Sequence, residues 1–176
     1  MSTPRLATLP FELTRDHQVI AAGTVTTTEE RRHGVLRLEG ELLHVQWRVE
    51  RQVQQIGPEI RTDVQHDGLR EVPVPVRLLG DARVRRRGRL WWKRTELVLT
   101  ARDLVAFDGL AGPEGFDFTH PAELALPVRT NNLELAREFA SEVELAIADL
   151  ALRAAEAALA LSHAAPRALA DPESTP

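Results

Sequence analysis

The sequence predicts a mainly β domain of about seven antiparallel strands closed by one long C-terminal α-helix, on three observations. Apolar and polar residues alternate from residue 34 to residue 53, turn residues interrupt further short apolar runs up to residue 129, and from residue 131 the apolar spacing changes from two to three and four.

The first strand pair is the best marked. Val35, Leu36, Arg37 and Leu38 lead to Glu39-Gly40, after which Leu43, Val45, Trp47, Val49 and Val53 alternate with polar residues. A two-residue loop at Glu39-Gly40 sets Leu36 opposite Leu43 and Gly34 opposite Val45, which gathers the apolar residues of both strands on one face. Residues 54–68 are polar and read as irregular. Val72, Val74, Val76 and Leu78 restart the alternation, and Ala82 and Val84 keep its parity, so two strands joined near Gly80-Asp81 are expected. Pro73 and Pro75 lack N–H groups on the same side and place this segment at a sheet edge. Residues 95–101 and 104–107 read as a hairpin around Arg102-Asp103. Residues 108–121, with three glycines and two prolines, read as a long loop before a strand at 123–129.

Asn131 is positioned to cap a helix, with Glu134 completing a capping box. Ala136, Phe139, Ala140, Val143, Ile147, Leu150 and Ala151 then form one stripe that must cover the strands. The helical pattern runs to about Ser162. Its alanine-rich extension, residues 153–161, exceeds what a small sheet needs, and either packs on a second subunit or projects into water. Residues 162–176, with Pro166 and Pro172, read as a disordered tail. The domain is expected over residues 31–161. Residues 1–30 form an N-terminal segment in which 19–27 adds one strand and 1–14 has no strong period.

A chain of 176 residues fits one domain, and its balance of 43% hydrophobic and 27% charged residues is globular. The absence of cysteine excludes disulfides, thiolate metal sites and cysteine nucleophiles. Neither a secretory leader nor a run of about 18 apolar residues is present, so a cytoplasmic location without a transmembrane segment is expected. The net charge of −4 disfavours a general nucleic-acid binder.

Seven strand-like segments (35–39, 42–53, 70–78, 81–87, 95–101, 104–107 and 123–129) followed by one capped helix resemble a pleckstrin-homology-like barrel. The resemblance implies two near-orthogonal antiparallel sheets with the helix plugging one end. Gly34-Val-Leu-Arg-Leu-Glu-Gly, Arg70-Glu-Val-Pro-Val-Pro-Val and residues 133–150 resemble, more specifically, bacterial proteins assigned that fold. No site residue is implied. Phosphoinositide-binding members carry a basic first hairpin, whereas Arg37, His44 and Arg48 are here interspersed with Glu39, Glu41 and Glu50. Barrels of this type also serve in protein docking and self-association.

The most unusual stretch is Arg83, Val84, Arg85, Arg86, Arg87, Gly88, Arg89, Leu90, Trp91, Trp92, Lys93 and Arg94, with seven positive charges and no acid. Cations beside an exposed indole suit an acidic lipid surface, a nucleic-acid backbone or an acidic protein. Solvated or glutamate-paired arginines are the plainer reading. The six histidines lack metal-chelating spacing, and no metal or cofactor is expected. His66, between Asp63 and Asp67, makes the only dense polar grouping, and Asp67-Gly68 reads as an ordinary turn. No activated serine elbow and no phosphate-cradling glycine pattern occurs. The resulting expectation is a non-catalytic module that binds a protein, or itself through residues 153–161. Anionic-lipid binding through residues 83–94 is the first alternative, and an enzyme using carboxylates or His66 the second.

Overall fold

The computed structural model describes residues 6–21, 24–57, 59–88, 94–112 and 114–164. Among them, β1 (Leu6–Ala21), β2 (Thr24–Glu39), β3 (Leu42–Ile56), β4 (Ile60–His66) and β5 (Arg70–Pro75) form one antiparallel sheet. A second contains β6 (Leu79–Arg87), β7 (Arg94–Ala101) and β8 (Glu123–Val128), and the helix α1 (Leu133–Ala164) follows. The chain is therefore mainly β in two antiparallel sheets with one C-terminal helix, as its sequence predicts.

Alternating side chains build the core. In the first sheet Leu9, Leu36 and Val45 lie side by side in register, and the next rows on the same face bring Phe11, Gly34 and Trp47, then Leu13, Arg32 and Val49. Leu9, Leu36 and Val45 are fully buried, and Trp47 and Val49 are almost so. Leu97 and Leu99 of β7 and Leu124 and Leu126 of β8 close the core from the second sheet. Gly34 is required by a close approach. A Cβ there would lie 2.2 Å from Phe11 Cζ and 2.4 Å from the Gln46 carbonyl oxygen, so the missing side chain makes room for the phenyl ring. Phe116, from the loop after residue 110, packs on both Phe11 and Trp47, with centroids 5.8 and 5.1 Å away. Trp47 Nε1 donates to the Glu114 carbonyl at 2.9 Å. Arg15–Asp117 and Arg70–Glu114 ion pairs fasten the same loop to the first sheet.

The helix covers the core with the predicted stripe except its last member, Ala151, which is exposed because the helix has by then passed the edge of the core. Ala136, Phe139, Ala140 and Val143 are buried, while Ile147 and Leu150 pack partly against the cluster. The helix lies mainly on β6, whose outer edge would leave N–H groups unpaired. Glu144 relieves one of them, its Oε1 accepting from the Ala82 N–H at 2.5 Å.

Several expectations need correction. The first hairpin turns at Gly40-Glu41, with Gly40 at φ +60°, and Leu36 faces Val45 while Leu38 faces Leu43. This is a slip of two residues from the expected register, which leaves every side chain on its predicted face. Residues 54–68 are not irregular, since β3 continues to Ile56 and β4 pairs with it from Ile60 to His66. β1 and β2 are long paired strands where one short strand was expected over 19–27. Residues 76–78 form a 3₁₀ turn that carries the chain to the second sheet, so the strand expected over 70–78 ends at Pro75. Residues 104–110 are also 3₁₀ helix and not a strand, because the Asp103 side chain accepts from the Val105 N–H at 3.2 Å and starts a helical turn. Glu134 does not return to Asn131; its carboxylate accepts from Arg137 Nη1 at 2.7 Å, after a 3₁₀ turn over Thr130–Asn132. The proline prediction holds, as β5 pairs only with β3 and forms an edge. The tail beyond residue 164 lies outside the described residues.

Candidate functional site

Three regions carry chemistry not consumed by the core. The first is the end of the β6–β7 hairpin. β-strand alternation directs Ala82 and Val84 toward the core and Arg83, Arg85 and Arg87 away from it. Arg83 pairs with Asp81 at 3.2 Å and Glu123 at 3.8 Å, and Arg85 with Glu96 at 3.4 Å and Glu123 at 3.5 Å. These two arginines are neutralised by neighbouring strands. Arg87 stands directly opposite Arg94 in register, and Arg86, Arg87 and Arg94 are exposed. Like charges in opposition destabilise a strand pair, so these residues gain little for the fold. Gly88, at φ +126°, follows β6, and a shallow cleft of about 270 Å³ lies among Arg87, Gly88, Arg94 and Glu96. The remaining sequence candidates, Arg89, Trp91, Trp92 and Lys93, lie outside the described residues.

The second region is polar and lies on the outer face of the first sheet. His44 Nδ1 is 2.7 Å from Glu71 Oε1, and Gln46 Nε2 donates to Glu71 Oε2 at 2.8 Å. The Gln46 and His44 hydrogen bonds, in that order, hold the Glu71 carboxyl below its usual pKa. Arg37 Nε pairs with Glu39 at 3.0 Å beside them. Further along the same face a groove of about 470 Å³ is lined by His33, Arg48, Glu50, His66 and Leu69, among others. His66 closes β4 and is not in a loop; its Nδ1 lies 3.8 Å from Glu50 Oε2, and its side chain is 62% exposed. A hydrogen bond is too long at that distance to orient the ring as a catalytic base. No cluster of three potential metal ligands occurs among the described residues.

The inner face at the limit of the core holds Arg32, which is only 3% exposed. Its Nη2 donates to Glu30 at 3.1 Å, and Glu30 also accepts from Arg51 Nε at 3.0 Å. Burial pulls the Arg32 guanidinium below its usual pKa against the attraction of Glu30. Buried Arg32, with its half-buried partner Glu30, closes the core beside Leu13 and Val49.

The third region is the outward half of α1. The helix has 32 residues, hence a length of about 48 Å, and every residue from Ala151 to Ser162 is exposed. Arg153 Nη1 reaches Glu41 at 2.8 Å, which ties the start of this extension to the β2–β3 turn. Leu145, Leu152 and Leu159 are 49%, 60% and 60% exposed. Their seven-residue spacing puts them on one face, with Ala148 and Ala155 between them, and helical geometry turns that face away from the stripe of Ala136, Phe139, Val143 and Ile147. The sequence reading saw the extension's length but missed this second stripe. The seven-residue repeat of leucines was the available signal.

No helix of the described residues is long and apolar enough to cross a membrane. No family model, curated protein or solved structure matches this chain.

Proposed function

We propose that this chain is a non-catalytic interaction module of pleckstrin-homology-like type whose binding element is the outward half of α1. One observation carries the reading: Leu145, Leu152 and Leu159 remain 49–60% exposed on a helix whose other face already supplies the core. Isolated exposed leucines are ordinary, but three at heptad spacing form the pattern by which helices recognise other helices. The exposed position of His66 and its long approach to Glu50 make the enzymatic alternative the weaker one.

The absence of cysteine permits a direct test, because Leu152→Cys becomes the only thiol in the chain. A photoactivatable cross-linker on that thiol, applied in an extract of the producing cells, is expected to give a discrete adduct that Leu145→Gln abolishes. The same reagent at Ile20→Cys, an exposed apolar position distant in the fold, should give none. Equal labelling from both positions, or none from Leu152→Cys, rejects the reading.

A second reading, an anionic-lipid surface at the β6–β7 hairpin, is favoured by Arg86, Arg87 and Arg94, which make no ion pair among the described residues. It predicts binding to vesicles containing phosphatidylserine that weakens with salt and with Arg86→Glu plus Arg87→Glu. Absence of binding at low salt removes it.

A further inference from the structure

The exposed leucine stripe is bordered by acid. With Leu145, Leu152 and Leu159 as a positions of a heptad and Ala148 and Ala155 as d positions, Asp149 and Glu156 fall at e and Glu144 at g. Glu138 lies on the same side as Asp149 and Glu156, about three turns before Asp149 toward the helix start, at an a position. Asp149, Glu156 and Glu138 make no ion pair among the described residues, and Glu144 is directed to the Ala82 N–H. The two arginines of the helix are already engaged, Arg137 by Glu134 at 2.7 Å and Arg153 by Glu41 at 2.8 Å.

From this charge pattern we infer that the partner on α1 is an amphipathic helix with leucine-class residues at its centre and lysine or arginine along its flanks. The inference rests on the proposed interaction role and names the partner's chemistry. A second copy of this chain fits poorly. In an antiparallel pair e positions face e positions, which brings Asp149 and Glu156 against the same acids of the other copy. In a parallel pair g faces e, so that Glu144 meets Asp149 and Ala151 meets Glu156. Neither arrangement supplies a cation. A basic flank supplies one at each acid, and the alanines at d allow the two helices to approach closely. Rim charges of this kind set which partner is chosen and how fast it docks more than they set affinity.

Two synthetic helical peptides of about three heptads test this, both with leucine at a and alanine at d, one with lysine at e and g and the other with glutamate there. Their binding to the full-length chain is read by fluorescence anisotropy. The lysine peptide is expected to bind at least about tenfold more tightly than the glutamate peptide, a difference that salt at about 0.5 M largely removes. Asp149→Asn with Glu156→Gln should weaken it about tenfold, and Leu152→Gln should weaken it further. Because Leu152, Asp149 and Glu156 are exposed, these variants are expected to retain the parent's circular dichroism and melting curve.

Equal binding to the Leu152→Gln protein would mean unspecific attraction to an acidic chain and would overturn the inference. Preference for the glutamate peptide would overturn the partner's charge while leaving the helix as the binding element. A dimer in light scattering that Leu152→Gln disperses would do the same, with a second copy as occupant. Failure of both peptides rejects the partner class; the Leu152→Cys cross-linking result then decides separately whether the helix binds anything.

Discussion

The strands β1, β2 and β3 each have two ends in different surroundings. Around Leu9, Leu36 and Val45 one face is sealed by the second sheet and the helix. Beyond the row of Arg15, Glu30 and Arg51, where Asp117 still reaches Arg15, the same strands continue, joined by β4, with no layer on either face among the described residues. Every residue of β4 is exposed, and Ile20, Val25, Ile56 and Ile60 make one apolar row across the four strands of this arm. Of that row Ile20, Ile56 and Ile60 are exposed. The ladder of hydrogen bonds is continuous, so the comparison separates what pairing does from what burial does. Pairing sets the geometry at both ends, whereas the hydrophobic contribution is confined to one.

The largest effect should come from removing a side chain at the buried end. Trp47→Ala empties the space against Phe116 and leaves the Glu114 carbonyl without its donor, and should cost about 3–5 kcal/mol in denaturant unfolding. In the arm, Ile60→Ala should cost less than about 0.5 kcal/mol. Comparable losses at the two positions would mean that the arm is packed against something in solution.

A smaller loss is expected from Gly34→Ala, about 1–3 kcal/mol, because the added methyl must displace the Phe11 ring or the Gln46 carbonyl. Combining it with Phe11→Leu should recover part of that loss, since the two positions share one space. Strict additivity of the two changes in unfolding experiments would show that the ring is not what excludes the methyl. No such coupling is expected in the arm, where no opposing layer confines Val25 and Ile56 among the described residues.

Hydrogen exchange would compare the two ends directly. Amides of β3 paired with β5, such as Leu43 and Val45, should exchange only through near-global opening, and those paired with β4, from Glu50 to Ile56, through local fraying. Uniform protection along β3 would erase the distinction.

The same comparison accounts for what could be read in the sequence. Alternation is a record of one-sided burial and not of strand geometry. Leu36, Leu38, Leu43, Val45, Trp47 and Val49 therefore announced their strands and their face. Thr62, Asp63 and Gln65 did not, because both faces of β4 meet water. The slip at Gly40-Glu41 arose because the two candidate registers bury the same face, and the glycine conformation decided between them. Leu104, Val105 and Phe107 misled for the opposite reason: a short apolar run does not distinguish a strand from a 3₁₀ turn, and the deciding contact is the Asp103 cap. At the sites, the basic run 83–94 was visible as charge, but its division into paired Arg83 and Arg85 and exposed Arg86, Arg87 and Arg94 depends on Glu96 and Glu123 from other strands.

The smallest expected effect lies on the outer face of the buried end, at Glu71. Its pKa is lowered in the folded chain, so its hydrogen bonds with Gln46 and His44 favour folding while it is ionised. That contribution is complete above the carboxylate's unfolded pKa of about 4.3 and is lost as the pH falls through the lower folded value. Urea midpoints of the parent should therefore fall on acidification below about pH 4.3 by slightly more than those of Glu71→Gln, with the two curves parallel at higher pH. Solvent screens an exposed group, which keeps the difference small. A Glu71→Gln curve that stays parallel to the parent throughout would show that the hydrogen bonds of Glu71 carry none of the acid sensitivity.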